Sequence, residues 1–183
     1  METSMASAAR VPNNRDDDKE FMTTLAKGLS VLSCFGRDRP KMTLSEAAVA
    51  AGVSRATARR ILLTLTDLSY VEQDGRHFSL SPNILRLGFA YLSTQNWIDR
   101  AQPLMRELSE RFRESCSASI LQGTEIVYVA RVQTQRIMSA TIAVGSRLPA
   151  FHTSMGRVLL GFLDEREVWR RLKSIRIERG RLS

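Results

Sequence analysis

The sequence predicts an α+β chain: a helical N-terminal domain closed by a hairpin, a linker helix, then an α/β domain. Three observations carry that prediction. "AAGVSRATARRILLTLTDLSYV", from Ala50 to Val71, reads as a helix, a glycine turn and a second helix. "YVEQDGRHFSL" reads as a hairpin closed by the turn dipeptide Asp74 and Gly75. "IVYVARV" alternates apolar and polar positions, the pattern of a half-buried antiparallel strand.

The whole-chain numbers narrow the classes. A length of 183 residues suits one or two domains. A formal net charge of +8 favours an anionic partner, with nucleic acid first and an acidic membrane surface second. The two cysteines, Cys34 and Cys116, are far apart and outside any metal-ligand spacing, so no metal or disulfide framework is expected. The leader "METSMASAARVPNNRDDDKE" has no apolar segment of the secretory kind, and no run approaches the roughly 20 residues that span a bilayer. A cytoplasmic protein with no membrane partner is expected.

Residues 1–18 are small, polar and charged, the composition of a disordered arm. A helix over about 20–35 follows, with Phe21, Leu25, Leu29 and Leu32 recurring at steps of three or four. Gly36 and Pro40 stop it. Thr43 and Glu46 are spaced as a capping box for a short Ala-rich helix that ends at Gly52. Ser54 is the expected N-cap of a third helix running to about residue 69. Its apolar stripe is Ala58, Ile61, Leu62, Leu65 and Leu68, while Ala56, Arg59 and Arg60 point the other way. With Asp74 and Gly75 as the turn, Val71 falls opposite Phe78 and Glu72 opposite His77.

Arg55, Arg59 and Arg60 need an explanation. Cations near a helix N-terminus oppose the macrodipole, so they are not there to stabilise the helix. Singly, each fits a solvated charged face as well as a binding face. Together with the capped short helix, the glycine turn and the hairpin, they fit a winged helix-turn-helix. Its second helix enters the major groove with its N-terminal residues at the base edges. In that arrangement Ala56 permits close approach, Thr57 reaches a phosphate, and Arg59 or Arg60 forks onto guanine. Arg76, at the hairpin tip, touches a flanking phosphate.

Beyond the hairpin, "NILRLGFAYLSTQ" has helical period with Pro82 just before it, as a linker helix would. Its apolar stripe suits a dimer contact or packing on its own domain equally. A further helix over about 98–114 carries Leu104, Leu108 and Phe112. Two β-rich runs then flank Gly123 and Thr124, and "MSATIAVGSRLPA" supplies a third. "TSMGRVLLGFL" reads as a helix, and Asp164 begins another. No combination of nucleophile and base, zinc-binding helix or phosphate loop is present, so neither an enzyme nor a cofactor is expected.

"LAKGLSVLSCF", "TLSEAAVAAGVSRATARRILLTL" and "SYVEQDGRHFSL" resemble the DNA-binding domain of the IclR family of bacterial transcriptional regulators. "VGSRLPAFHTSMGRVLL" resembles the signature at the centre of that family's effector domain. Joined to "RIMSATIAVGSRLPA", it is most similar to the PcaR/PobR-like branch, which governs aromatic-acid catabolism. The resemblance runs over about 21–174. After the arm over 1–18, it implies a winged helix-turn-helix over 19–81, a linker helix over 82–97 and a GAF/PAS-like effector-binding domain over 98–183. It implies operator contacts at Ser54, Arg55, Ala56, Thr57, Arg59 and Arg60. It also implies an effector pocket around Ile137, Ala140, Leu148, Thr153, Ser154 and Met155. The expected partners are double-stranded operator DNA, a small aromatic or other carboxylic acid, and further copies in a homodimer or homotetramer. Ser154 and the amides that open its helix suit a carboxylate, with Arg136 or Arg147 assisting. The family's effector domain normally continues past this chain's Ser183, so the pattern reads as incomplete in its C-terminal half. The alternative is then a fragment that binds DNA or a protein without effector sensing.

Overall fold

The computed structural model describes residues 20–134 and 142–174. The chain divides into two compact units, the first ending at Ala90 and the second starting at Tyr91.

In the first unit, helix α1 is Thr23–Leu32, strand β1 Lys41–Thr43, helix α2 Leu44–Ala51 and helix α3 Arg55–Asp67. Strands β2 (Val71–Asp74) and β3 (His77–Leu80) form the hairpin. Local chemistry sets the ends of α2 and α3. Glu46 N–H donates to Thr43 Oγ1 at 3.4 Å, and Thr43 N–H donates to Glu46 Oε2 at 2.7 Å, which closes the capping box. Gly52 ends α2 at φ 65°, in the left-handed region that glycine enters without steric cost. Two residues later Ser54 Oγ accepts Thr57 N–H at 3.1 Å and starts α3.

One core holds the unit together. Val31, Phe35, Met42, Ala47, Ile61, Leu62, Val71 and Phe78 join all three helices to the sheet. Leu62 is wholly buried, so its truncation to Ala would cost about 2–5 kcal/mol.

Three expectations are corrected here, and one strand is added. The hairpin turn is Gly75 and Arg76, so Val71 pairs with Leu80, Glu72 with Ser79, Gln73 with Phe78 and Asp74 with His77. Gly75 takes the first central position at φ 58°, and Arg76 does not have positive φ, which is the II′ pattern. Strand β1, which the sequence did not suggest, pairs with β3 and makes the sheet order β1-β3-β2. On α1 Ser30 and Val31 are buried and Leu32 packs against the core, while Leu25 and Leu29 are exposed. Leu68 is exposed as well, because α3 ends before it and Ser69 turns the chain at φ 61°.

The expected linker helix is not one helix. A 3₁₀ turn over Pro82–Ile84 leads into α4 (Leu85–Leu92), and α5 (Asn96–Phe112) starts after a break. Ser81 caps the 3₁₀ turn, accepting Asn83 N–H at 3.2 Å.

The second unit is built on strands β4 (Cys116–Gln122), β5 (Glu125–Val132) and β6 (Arg147–Pro149), in that order and antiparallel. Gly123 and Thr124 make the first turn, with Gly123 at φ 63°. Helix α5 covers one sheet face through Ile98 and Met105, against Val129 and Ala130. Its Leu104, Leu108 and Phe112, which the period made conspicuous, are exposed. Helix α6 (Ser154–Gly161) covers the other face, where Ile126, Tyr128, Ala150 and Leu160 form a separate core. Helix α7 (Glu165–Ser174) begins at Asp164, whose Oδ1 accepts Glu167 N–H at 2.9 Å.

Candidate functional site

The N-terminal face of α3 has the geometry of a nucleic-acid interface. Arg55, Ala56, Arg59 and Arg60 are all exposed. None of the three guanidiniums forms an ion pair with a described residue. Ala58, Ile61 and Leu62 bury the opposite side of the helix. The helix is thus held by its apolar side and presents its cations outward. Three uncompensated charges at the positive end of a helix are an electrostatic cost that a polyanion relieves.

Ser54 and Thr57 sit at the same end. Thr57 is half-buried, and its Oγ1 lies 2.8 Å from Ser54 Oγ. Both hydroxyls are therefore engaged in starting the helix. A phosphate contact would share them with the cap.

The hairpin is fixed to the end of this helix. Ser81 Oγ donates to the Ser69 carbonyl oxygen, Ser81 N–H donates to Tyr70 O at 3.0 Å, and Tyr70 N–H donates to Leu65 O at 2.8 Å. Arg76 is exposed at the tip, as expected, with a different turn beneath it. Arg76 and His77 lie close enough to Glu46 to act on its carboxylate. Glu46 is held below the usual carboxylate range, first by the Thr43 backbone N–H, then by the Thr43 hydroxyl, then by these two groups. The wing and the start of α2 therefore belong to one electrostatic neighbourhood.

The expected effector residues are only partly brought together. Ile137, Ala140 and Arg136 lie outside the described residues. Leu148 and Met155 both pack against the core on the α6 face of the sheet. Thr153 caps α6, its Oγ1 accepting Gly156 N–H at 3.0 Å. Ser154 is exposed in the first turn of that helix. Gly156 lets the helix start against the chain before it: a Cβ there would lie 2.1 Å from Ala150 O.

Arg147 does not assist as expected. Its Nε donates to Glu125 Oε2 at 2.9 Å and its Nη1 to Gln122 Oε1 at 2.7 Å. Arg147 pairs with Val127, so it lies on the sheet face away from Leu148 and α6. Among the described residues, one open cleft of about 440 Å³ is lined by Met42, Glu46 and Val49, and another of about 530 Å³ by Arg106, Ser109 and Arg113. Neither is lined by an expected effector residue.

The sequence reading missed one polar residue on the α6 side, Arg131. Its position in an alternating strand gave it no local signature, and only the pairing of β4 with β5 shows what it faces.

The chain is similar to known proteins over most of its length. Residues 24–75 match the IclR helix-turn-helix domain, and residues 89–180 match the C-terminal domain of bacterial IclR transcriptional regulators. The Pca regulon regulatory protein of Pseudomonas putida is 40% identical over 162 residues, covering 88% of this chain and 56% of that protein. The p-hydroxybenzoate hydroxylase transcriptional activator of Acinetobacter baylyi is 37% identical, covering 82% and 57%. Among solved structures, an IclR family transcriptional regulator from Brucella abortus superposes with a TM-score of 0.73 at 31% identity, covering 91% of this chain and 64% of that one. A transcriptional regulator from Rhodococcus sp. RHA1 gives 0.70 at 47%, covering 87% and 63%. The chain thus spans little more than half the length of the two regulators it matches in sequence.

Proposed function

The chain belongs to the IclR family of bacterial transcriptional regulators, and from that premise we propose that it binds operator DNA through α3 and answers to a small aromatic carboxylic acid. The observation that carries the first half is the outward set of Arg55, Arg59 and Arg60 on a helix anchored by its other side. The second helix of such a motif lies in the major groove. There Ala56 leaves room for the backbone, and a guanidinium forks onto guanine O6 and N7. Ser54, Thr57 and Arg76 contact the phosphates on either side.

The second half rests on the matched C-terminal domain and on the relatives. One of them is named as the regulatory protein of the Pca regulon, and another as the transcriptional activator of p-hydroxybenzoate hydroxylase, an enzyme named for an aromatic acid. Leu148, Thr153, Ser154 and Met155, together with Ile137 and Ala140, form part of the effector site in this reading. An effector that binds one arrangement of the second unit better than another shifts the population, and with it the spacing of two reading heads. Two heads require association into a homodimer or homotetramer. The exposed Met22, just before α1, and Leu25 and Leu29 on it support an association face.

The test is a duplex binding series with increasing salt. Operator binding through phosphates makes log affinity fall steeply and linearly with log salt. A chain that docks protein rather than DNA shows no such slope.

A further inference from the structure

The α6 face of the second sheet carries a charged group that the fold leaves half used. Arg131 on β5 stands directly opposite Ser117 on β4, and its Nη1 donates to Ser117 Oγ at 3.1 Å. Its Nε is fully buried and has no hydrogen-bond partner. Its Nη2 likewise has no described partner. A dry, unmet guanidinium N–H is costly, and native folds rarely keep one without a use.

The register places this group on the sheet face that α6 covers. Ala118 pairs with Ala130 and Ser119 with Tyr128, so Val129 is the extra residue of a bulge. Val129 and Ala130 both turn toward α5. Arg131 and Tyr128 therefore share the opposite face with Ser117 and Ser119. Ser119 Oγ lies 3.6 Å from Met155 Sδ in the first turn of α6. The face grades from apolar at Tyr128 and Met155, through two serine hydroxyls, to a cation at Arg131. That is the polarity of a molecule with an aromatic body and an acid head.

We propose that Arg131 is the carboxylate anchor of the ligand site on this face. Ser117 holds Nη1, and a shift of the Arg131 side chain that uncovers its Nε and Nη2 edge lets it take both oxygens of the carboxylate side-on, the geometry that suits a planar guanidinium. The inference rests on reading the second unit as effector-binding. It assigns the charge recognition to β5 rather than to Arg147, whose guanidinium is already occupied on the other face.

The test uses the full chain with 4-hydroxybenzoate and its neutral counterpart 4-hydroxybenzamide, by calorimetry, with thermal unfolding of each unliganded protein. The wild type is expected to bind the acid at least tenfold tighter than the amide. Arg131→Met is expected to lose that preference and to unfold at the wild-type temperature or above, since the unmet donor has gone. Arg131→Lys is expected to keep part of the preference, and Arg147→Met all of it. Arg131→Met that retains the preference overturns the anchor while leaving the effector reading intact. Arg131→Met that unfolds early, or not cooperatively, makes Arg131 a structural residue and also overturns it. A wild type that binds neither compound overturns both the anchor and the aromatic-acid reading beneath it.

Discussion

Replacing Arg59 by alanine separates a binding role from a structural one. Arg59 is exposed and has no ion pair among the described residues. Its removal should therefore change folding stability by no more than about 0.5 kcal/mol. Loss of a cation near the positive end of α3 even favours the helix slightly. Binding should behave oppositely. A bidentate pair with guanine is worth about 1–3 kcal/mol, which is roughly a 5- to 150-fold loss of affinity for the specific site. If Arg59 meets a phosphate instead, the loss is uniform across sequences, and the salt slope shrinks by about 0.9. The assay is fluorescence anisotropy on a duplex selected by the wild-type chain from a random library, at several salt concentrations. Thermal unfolding runs in parallel. Unchanged affinity and slope would refute the argument, as would a large drop in melting temperature.

Three further outcomes follow from particular contacts. Glu46 is held below its ordinary range, so the stability it lends to the start of α2 is present above the unfolded carboxylate value and lost as pH falls through the lowered one. Glu46→Gln should thus show a shallower loss of melting temperature on acidification than the wild type. Gly156→Ala should destabilise the second unit by about 1–3 kcal/mol, because the new methyl meets the Ala150 backbone, which cannot swing aside. Wild-type unfolding behaviour in that variant would show that the approach is looser than the geometry states. Cys34 is buried, donates to Ser30 O at 3.2 Å and has its thiol pushed up by burial, so it should resist alkylation at neutral pH until the first unit unfolds. Mass spectrometry of the native protein after iodoacetamide treatment checks this.

What could be read from the sequence was what local chemistry decides. Thr43, Glu46, Gly52 and Ser54 each act within four residues, and they delimit α2 and α3 as expected. The outward arginines followed from the same helix period. Strand β1 did not, because its three residues are made a strand only by β3 across from them. Nor did the hairpin register: an Asp-Gly dipeptide serves a turn with glycine second or first, and here Gly75 is first. On α1 two apolar stripes compete, and periodicity alone does not say that Val31 and Phe35 face the core while Leu25 and Leu29 face out. Arg131 depends on a bulge at Val129, a departure from alternation that sequence spacing does not reveal.

The central claim concerns which surface meets DNA, and side-chain NMR observes it directly. Nitrogen-15 spectra of the arginine Nε–H groups can be followed as duplex DNA is added to the full chain. The account predicts that the resonances of Arg55, Arg59, Arg60 and Arg76 move together, ahead of every other arginine. Titration that leaves these four in place while arginines of the second unit shift would contradict it.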